Sequence, residues 1–97
     1  MYFLKYETLP KPNVPRLKNF GATLALCWMD EPTKLKADSR ARSSITKDGW
    51  DILSLEEAYE VRLEDYDPDH PAYRSFQLAQ EKGERIIFVA VPSKPIQ

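Results

Sequence analysis

One histidine, one cysteine and three glycines are all that this 97-residue chain holds of the residues on which most catalytic and cofactor chemistry depends. A single histidine, His70, rules out a paired-histidine zinc site, and a single cysteine, Cys27, rules out an internal disulfide or a Cys-Cys metal pair. Gly21, Gly49 and Gly83 are too scattered to form a glycine-rich phosphate cradle. Long apolar runs are missing as well. The longest, such as Ile86 to Val91, fall far below the roughly 20 residues that a helix needs to span a membrane. The stretch Met1 to Lys5 has neither the basic start nor the small-residue cleavage site of a signal peptide, so the expectation is a cytoplasmic chain with no membrane association.

What is present suits one packed unit. Hydrophobic residues make up 42% and charged residues 30% of the chain, with a mean hydropathy of −0.54. That mixture is too apolar for disorder, and the length suggests a single domain over residues 1–97. The net charge of −1 hides an asymmetry. Residues 1–49 carry nine Lys/Arg against five Asp/Glu, and residues 50–97 carry five against ten. A chain with a pI near 5.8 is a poor binder of nucleic acid, and the cluster Lys34, Lys36, Arg40, Arg42 and Lys47 reads as a solvated helix face.

Tyr2 to Thr8 alternates Tyr2, Leu4 and Tyr6 against Phe3, Lys5 and Glu7, the period of a half-exposed strand, here read as an edge strand. Pro10, Pro12 and Pro15 make residues 9–20 a proline-rich extended loop without helix or ladder. Ala22 to Met29 is apolar on both alternating sets, as in a strand covered on two faces. A helix follows from about Thr33 to Lys47, with Ala37, Ala41 and Ile45 inward, accompanied by Ser44 and Leu35, and with Asp48-Gly49 as its stop. Trp50 onward is a long strand bent at Glu56-Glu57 and continued by Ala58 to Leu63, with a short helical turn through Leu55 to Tyr59 as the alternative. Pro71 opens a second helix, with Tyr73, Phe76, Leu78 and Ala79 toward the core, ended by Lys82-Gly83. Arg85 to Val91 forms the last strand, apolar on both faces, and residues 92–97 a short tail.

The order β-β-α-β-α-β defines an α+β fold, expected as a two-layer sandwich with both helices on one face of a four-stranded, mainly antiparallel sheet, of split β-α-β or ferredoxin-like type. Such an arrangement leaves the second sheet face bare. Its cover is expected to be either Leu9 to Phe20 folded across it or a second copy of the chain in a homodimer.

The acidic segment Glu64 to His70 has the look of a metal loop, but a calcium loop started at Asp65 would need glycine sixth and glutamate twelfth, where this chain has His70 and Phe76. Its expected role is structural: Asp69 or His70 caps the second helix and the other acids face its positive end. Cys27 lies in an apolar run and reads as a buried hydrophobe rather than a nucleophile. With no cofactor or metal site implied, the composition points away from an enzyme. The surplus of apolar strand faces points toward a protein-interaction domain, homodimeric or inhibiting a partner protein. The alternatives are a small-molecule or peptide-binding domain, and an acid-base or hydrolytic enzyme built on residues 64–70. The side chains singled out for an interaction surface or an aromatic-lined pocket are Trp28, Trp50, Tyr59, Tyr66, Asp67, His70 and Tyr73.

Short motifs add a resemblance. Ile45-Thr-Lys-Asp-Gly-Trp50, then Leu55-Glu-Glu-Ala-Tyr-Glu-Val61, Glu64-Asp65-Tyr66 and Gly83-Glu-Arg-Ile-Ile-Phe88 resemble a pattern found in a group of small uncharacterised bacterial α+β proteins, over residues 20–92. The end of the last strand, Val89-Ala90-Val91-Pro92, departs from that pattern, being less polar and less aromatic. The resemblance implies the fold and a bacterial type of chain, and carries no activity and no catalytic residue.

Overall fold

The computed structural model describes residues 1–91; the expected tail at 92–97 lies outside the described residues. Strand β1 (Tyr2–Pro10) is followed by β2 (Thr23–Met29), helix α1 (Lys34–Lys47), strand β3 (Trp50–Glu60), helix α2 (Pro71–Lys82) and strand β4 (Glu84–Ala90), with single 3-10 turns at Pro15–Leu17 and Leu63–Asp65. The strands form one open sheet in the order β3-β1-β2-β4, with every neighbouring pair antiparallel. The α+β class and the element order are those expected from the sequence.

The position of β1 is not. It lies inside the sheet between β3 and β2, not at an edge. Its alternation of apolar and charged residues arises because part of one sheet face is open to solvent, so an interior strand carries Lys5 and Glu7 there. Lys5 Nζ lies 2.6 Å from Glu57 Oε2 on the neighbouring strand. The strands β2 and β3 both oppose β1, and are therefore parallel to each other and joined through α1 across one intervening strand. This is a split β-α-β unit, and it occurs once. The connection through α2 ends instead on an antiparallel strand at the far edge, so the resemblance to a ferredoxin-like fold stops there.

The two helices lie on opposite faces, which corrects the expected two-layer sandwich. Alternate residues of a strand point to opposite faces. Leu4, Tyr6, Ala25, Cys27 and Met29 pack with Ala37, Ala41 and Ile45 of α1. Phe3 and Trp28, of the other parity, pack with Ala72, Phe76 and Ala79 of α2. The proline-rich segment does not cover the second face either. Val14 and Leu17 pack at the end of the α1 face, beside Trp50, and the ladder runs as far as Pro10 opposite Trp50. The 3-10 turn at Pro15–Leu17 replaces the extended loop expected there.

Local signals set the ends of the helices. Thr33 Oγ1 accepts the Lys36 N–H at 3.2 Å, capping α1. The small residues Ala37 and Ala41 let α1 approach the sheet closely, and Leu35, expected inward, is 79% exposed. Arg40 holds α1 to the sheet's end, with Nε 2.9 Å from Glu84 Oε1 and Nη1 3.1 Å from Glu31 Oε1.

Candidate functional site

On the second sheet face, between the first turn of α2 and the strands beneath it, lies a cleft of about 370 Å³. The sheet supplies Phe3, Leu26, Trp28, Tyr59, Ile87 and Val89, and the α2 side supplies Tyr66, His70, Pro71, Ala72 and Ser75. Each strand contributes residues of one parity, so the floor is the face opposite α1.

The aromatic side chains are arranged as a connected wall. Phe3 packs against Trp28 with ring centroids 5.1 Å apart and against Tyr59 at 5.4 Å. Trp28 Nε1–H donates to the Tyr66 hydroxyl at 3.1 Å. Tyr66 stacks with His70, centroids 6.3 Å apart and planes 15° from parallel, and meets Phe76 edge-on. Aromatic pairs in such tilted and offset geometries add to the stabilisation that burial alone provides.

His70 is fixed by the backbone. It is the N-cap of α2, and its Nδ1 accepts the Ala72 N–H at 3.0 Å. A neutral imidazole accepting at Nδ1 carries its proton at Nε2, so the ring offers a donor on its far side. Burial pushes the Tyr66 phenol above its ordinary value of 10.0, with Tyr59 and Asp65 adding to the rise and the Trp28 N–H opposing it. At neutral pH the hydroxyl therefore keeps its proton. The cleft is thus an apolar slot whose recognition chemistry is shape, aromatic contact, a hydroxyl and the His70 imidazole, with no Asp, Glu, Lys or Arg in its lining.

Of the side chains singled out from the sequence, the fold brings together Trp28, Tyr59, Tyr66 and His70. Trp50 is on the opposite face, stacked on Phe88 at 4.7 Å with planes 13° apart and edge-on to Phe20. Asp67 is occupied locally: its Oδ1 accepts the Asp69 N–H at 2.9 Å and its carbonyl the His70 N–H at 2.8 Å. Asp65 Oδ2 accepts the Arg62 N–H at 2.8 Å, closing the 3-10 turn. Tyr73 is half-buried on α2 away from the cleft, where core contact had been expected. Cys27 is fully buried on the α1 face, its thiol pushed up to about 12 by burial and then by the charge of Glu84. Among the described residues, no three His, Cys, Asp or Glu side chains are grouped to hold a metal ion.

Sequence reasoning missed Phe3, Leu26, Ile87 and Val89, the floor of the cleft. The available signal was Phe3 itself, the one aromatic among the residues of β1 assigned to the solvent side. No protein-family model, no curated protein and no solved structure matches this chain. No helix among the described residues is long and apolar enough to cross a membrane.

Proposed function

We propose that this chain is a non-enzymatic, cytoplasmic interaction domain whose cleft receives an apolar side chain of a protein partner. The observation that carries this reading is the aromatic slot left open under α2. Its floor continues into exposed apolar residues, with Tyr59 47% and Val89 37% accessible. An apolar slot bordered by exposed apolar residues suits an anchor side chain delivered by a larger surface, because burial of the anchor is then reinforced by burial of its surroundings. The absence of Asp, Glu, Lys and Arg from the lining favours an aromatic or long aliphatic anchor over an ionic ligand. The partner class includes a second copy of this chain.

Selection of peptides from a displayed random library tests the reading, with binding followed by Trp28 fluorescence in a Trp50→Phe background. Bound peptides are expected to share an aromatic or aliphatic anchor, to perturb Trp28, and to lose binding to Val89→Asp, with far-UV circular dichroism checking that this variant is folded. Selection without any binder, binders insensitive to Val89→Asp, or a cleft that takes only small apolar fragments would each defeat it.

A further inference from the structure

The sheet has two open edges, and they differ in kind. The edge strand β3 carries two bulges and the acids Asp51, Glu56, Glu57 and Glu60, devices that keep an edge from pairing with another chain. The edge strand β4 has no register shift, and after Glu84-Arg85 it reads Ile-Ile-Phe-Val-Ala. Glu84 is already engaged by Arg40 and by Ser44 Oγ at 3.1 Å.

The hydrogen-bond parity of β4 follows from its two ends. Asp30 N–H donates to Gly83 O at 3.0 Å and Val91 N–H to Ala22 O at 3.3 Å, and both residue pairs fit the β2-β4 register. Hydrogen-bonded and non-hydrogen-bonded pairs alternate along an antiparallel ladder. Residues 83, 85, 87, 89 and 91 therefore bond to β2, and Glu84, Ile86, Phe88 and Ala90 turn their N–H and C=O groups outward. Among the described residues, no backbone partner outside the sheet meets those of Ile86, Phe88 or Ala90. An open groove of about 390 Å³ runs beside this stretch, between Ser44 and Asp48 on one side and Leu78 and Lys82 on the other.

We infer that β4 pairs antiparallel with β4 of a second copy, about a two-fold axis through Ile87. Ile87 is the midpoint of Glu84–Ala90, so this register uses the whole strand. It sets Glu84 opposite the partner's Ala90 and Ile86 opposite the partner's Phe88. All of these are outward-bonding residues, so each pair exchanges two hydrogen bonds. Side chains match as well: Ile86 and Phe88 share the α1 face, and the two Ile87 side chains meet on the other. A register displaced by one residue would oppose outward to inward groups, and one centred on Phe88 would bring in Pro92, which has no N–H to donate. The β3 edge, by contrast, would bring the four acids of each chain into one seam, across a ladder already broken by two bulges. The product is a continuous eight-stranded sheet in a closed two-fold dimer.

This inference rests on the reading of the chain as an interaction domain; it uses the backbone edge of β4, whose Ile87 and Val89 also line the cleft, and the two are told apart at Ala90, which lies outside that lining. Sedimentation equilibrium of the full chain is expected to give the mass of two chains. Ala90→Pro removes an outward N–H while sparing every bond to β2, and is expected to give one chain with unchanged far-UV circular dichroism. The central pair is non-hydrogen-bonded, with Cα atoms about 4.5 Å apart, within the range a disulfide spans. Ile87→Cys is therefore expected to oxidise to a disulfide-linked dimer, and Val89→Cys, which faces Arg85 of the partner, is not. Val89→Asp keeps every outward backbone group of β4 and places a carboxylate opposite the partner's Arg85, so it is expected to remain a dimer while losing peptide binding in the cleft. A single-chain mass at every concentration overturns the inference. So does a dimer that survives Ala90→Pro while Ile87→Cys fails to cross-link, because that dimer would use another surface.

Discussion

Tyr6 shows how a single side chain fastens α1 to the sheet. Its ring is fully buried in the α1 core, while its hydroxyl donates to Asp38 Oδ1 at 2.5 Å. The same carboxylate oxygen accepts from Arg42 Nε at 2.9 Å, and the Arg42 guanidinium lies 5.3 Å from the centre of the Tyr6 ring. Burial first, and then the Asp38 hydrogen bond and charge, hold the phenol well above its ordinary value of 10.0. The consequence for stability has a definite sign. Below the ordinary value both folded and unfolded chains keep the proton, and the contribution of the buried phenol is complete. Above it the unfolded chain releases the proton and the folded chain does not, so stability falls as pH rises. Tyr6→Phe is expected to lower stability by about 1.5 to 3 kcal/mol at neutral pH, the net worth of a hydrogen bond to a charged group. It is also expected to flatten the decline between about pH 8 and about pH 11. Urea midpoints of both proteins at the two pH values measure it, and parallel declines would show that Tyr6 does not set the alkaline limit. Asp38 gave no such signal in the sequence, because a carboxylate on a basic helix face reads as solvated until the partner strand is placed beneath it.

Elements were more legible than their assembly. Periodicity and stop signals are local, so the strands, both helices and the Gly49 and Gly83 ends could be read directly, and the bend expected at Glu56-Glu57 falls where Glu56 bulges from the ladder. Which face each helix covers depends on connections across the sheet, and nothing in α2 distinguishes one face from the other. That is why the cleft appeared in the sequence only as scattered aromatics, Trp28, Tyr59, Tyr66 and His70, without a floor. The Gly83 signal also carries a cost that the sequence does not show. Gly83 ends α2 at φ +89°, and a Cβ there would come within 2.7 Å of the Arg40 guanidinium that binds Glu84 and Glu31. Gly83→Ala is expected to lose at least about 1 kcal/mol, from the left-handed backbone and the displaced arginine together. Gly21→Ala, where φ is not positive and no atom lies within 4 Å of an added Cβ, is expected to be neutral or slightly stabilising. Thermal melts of the two variants side by side decide it, and equal losses would contradict the assignment of strain to Gly83.

At the scale of the whole molecule, the placement of the helices on opposite faces divides the interior into two clusters, one holding Trp50 and the other Trp28. They are not independent. The strands β1 and β2 lie side by side within the sheet and send alternate residues to each cluster, Leu4 and Tyr6 with Phe3, and Cys27 and Met29 with Trp28. Loss of either helix exposes one side of strands whose other side is the opposite core, and the ladder that both cores need goes with them. A chain of this size with a shared central sheet is therefore expected to unfold in one cooperative step. Trp50→Phe leaves Trp28 as the only tryptophan and reports the α2 core, while Trp28→Phe leaves Trp50 and reports the α1 core. Within each variant, the urea midpoint from the remaining tryptophan is expected to coincide with that from far-UV circular dichroism. Cys27 supplies a third probe, because a fully buried thiol pushed up to about 12 reacts only when the sheet opens. Under conditions of rapid reclosing, its labelling is expected to yield the same free energy as the urea transition of the wild type. A tryptophan midpoint displaced from the circular-dichroism midpoint of the same variant, or labelling of Cys27 far faster than global unfolding allows, would mean that one helix detaches while the sheet survives, and that the two faces fold as separate units.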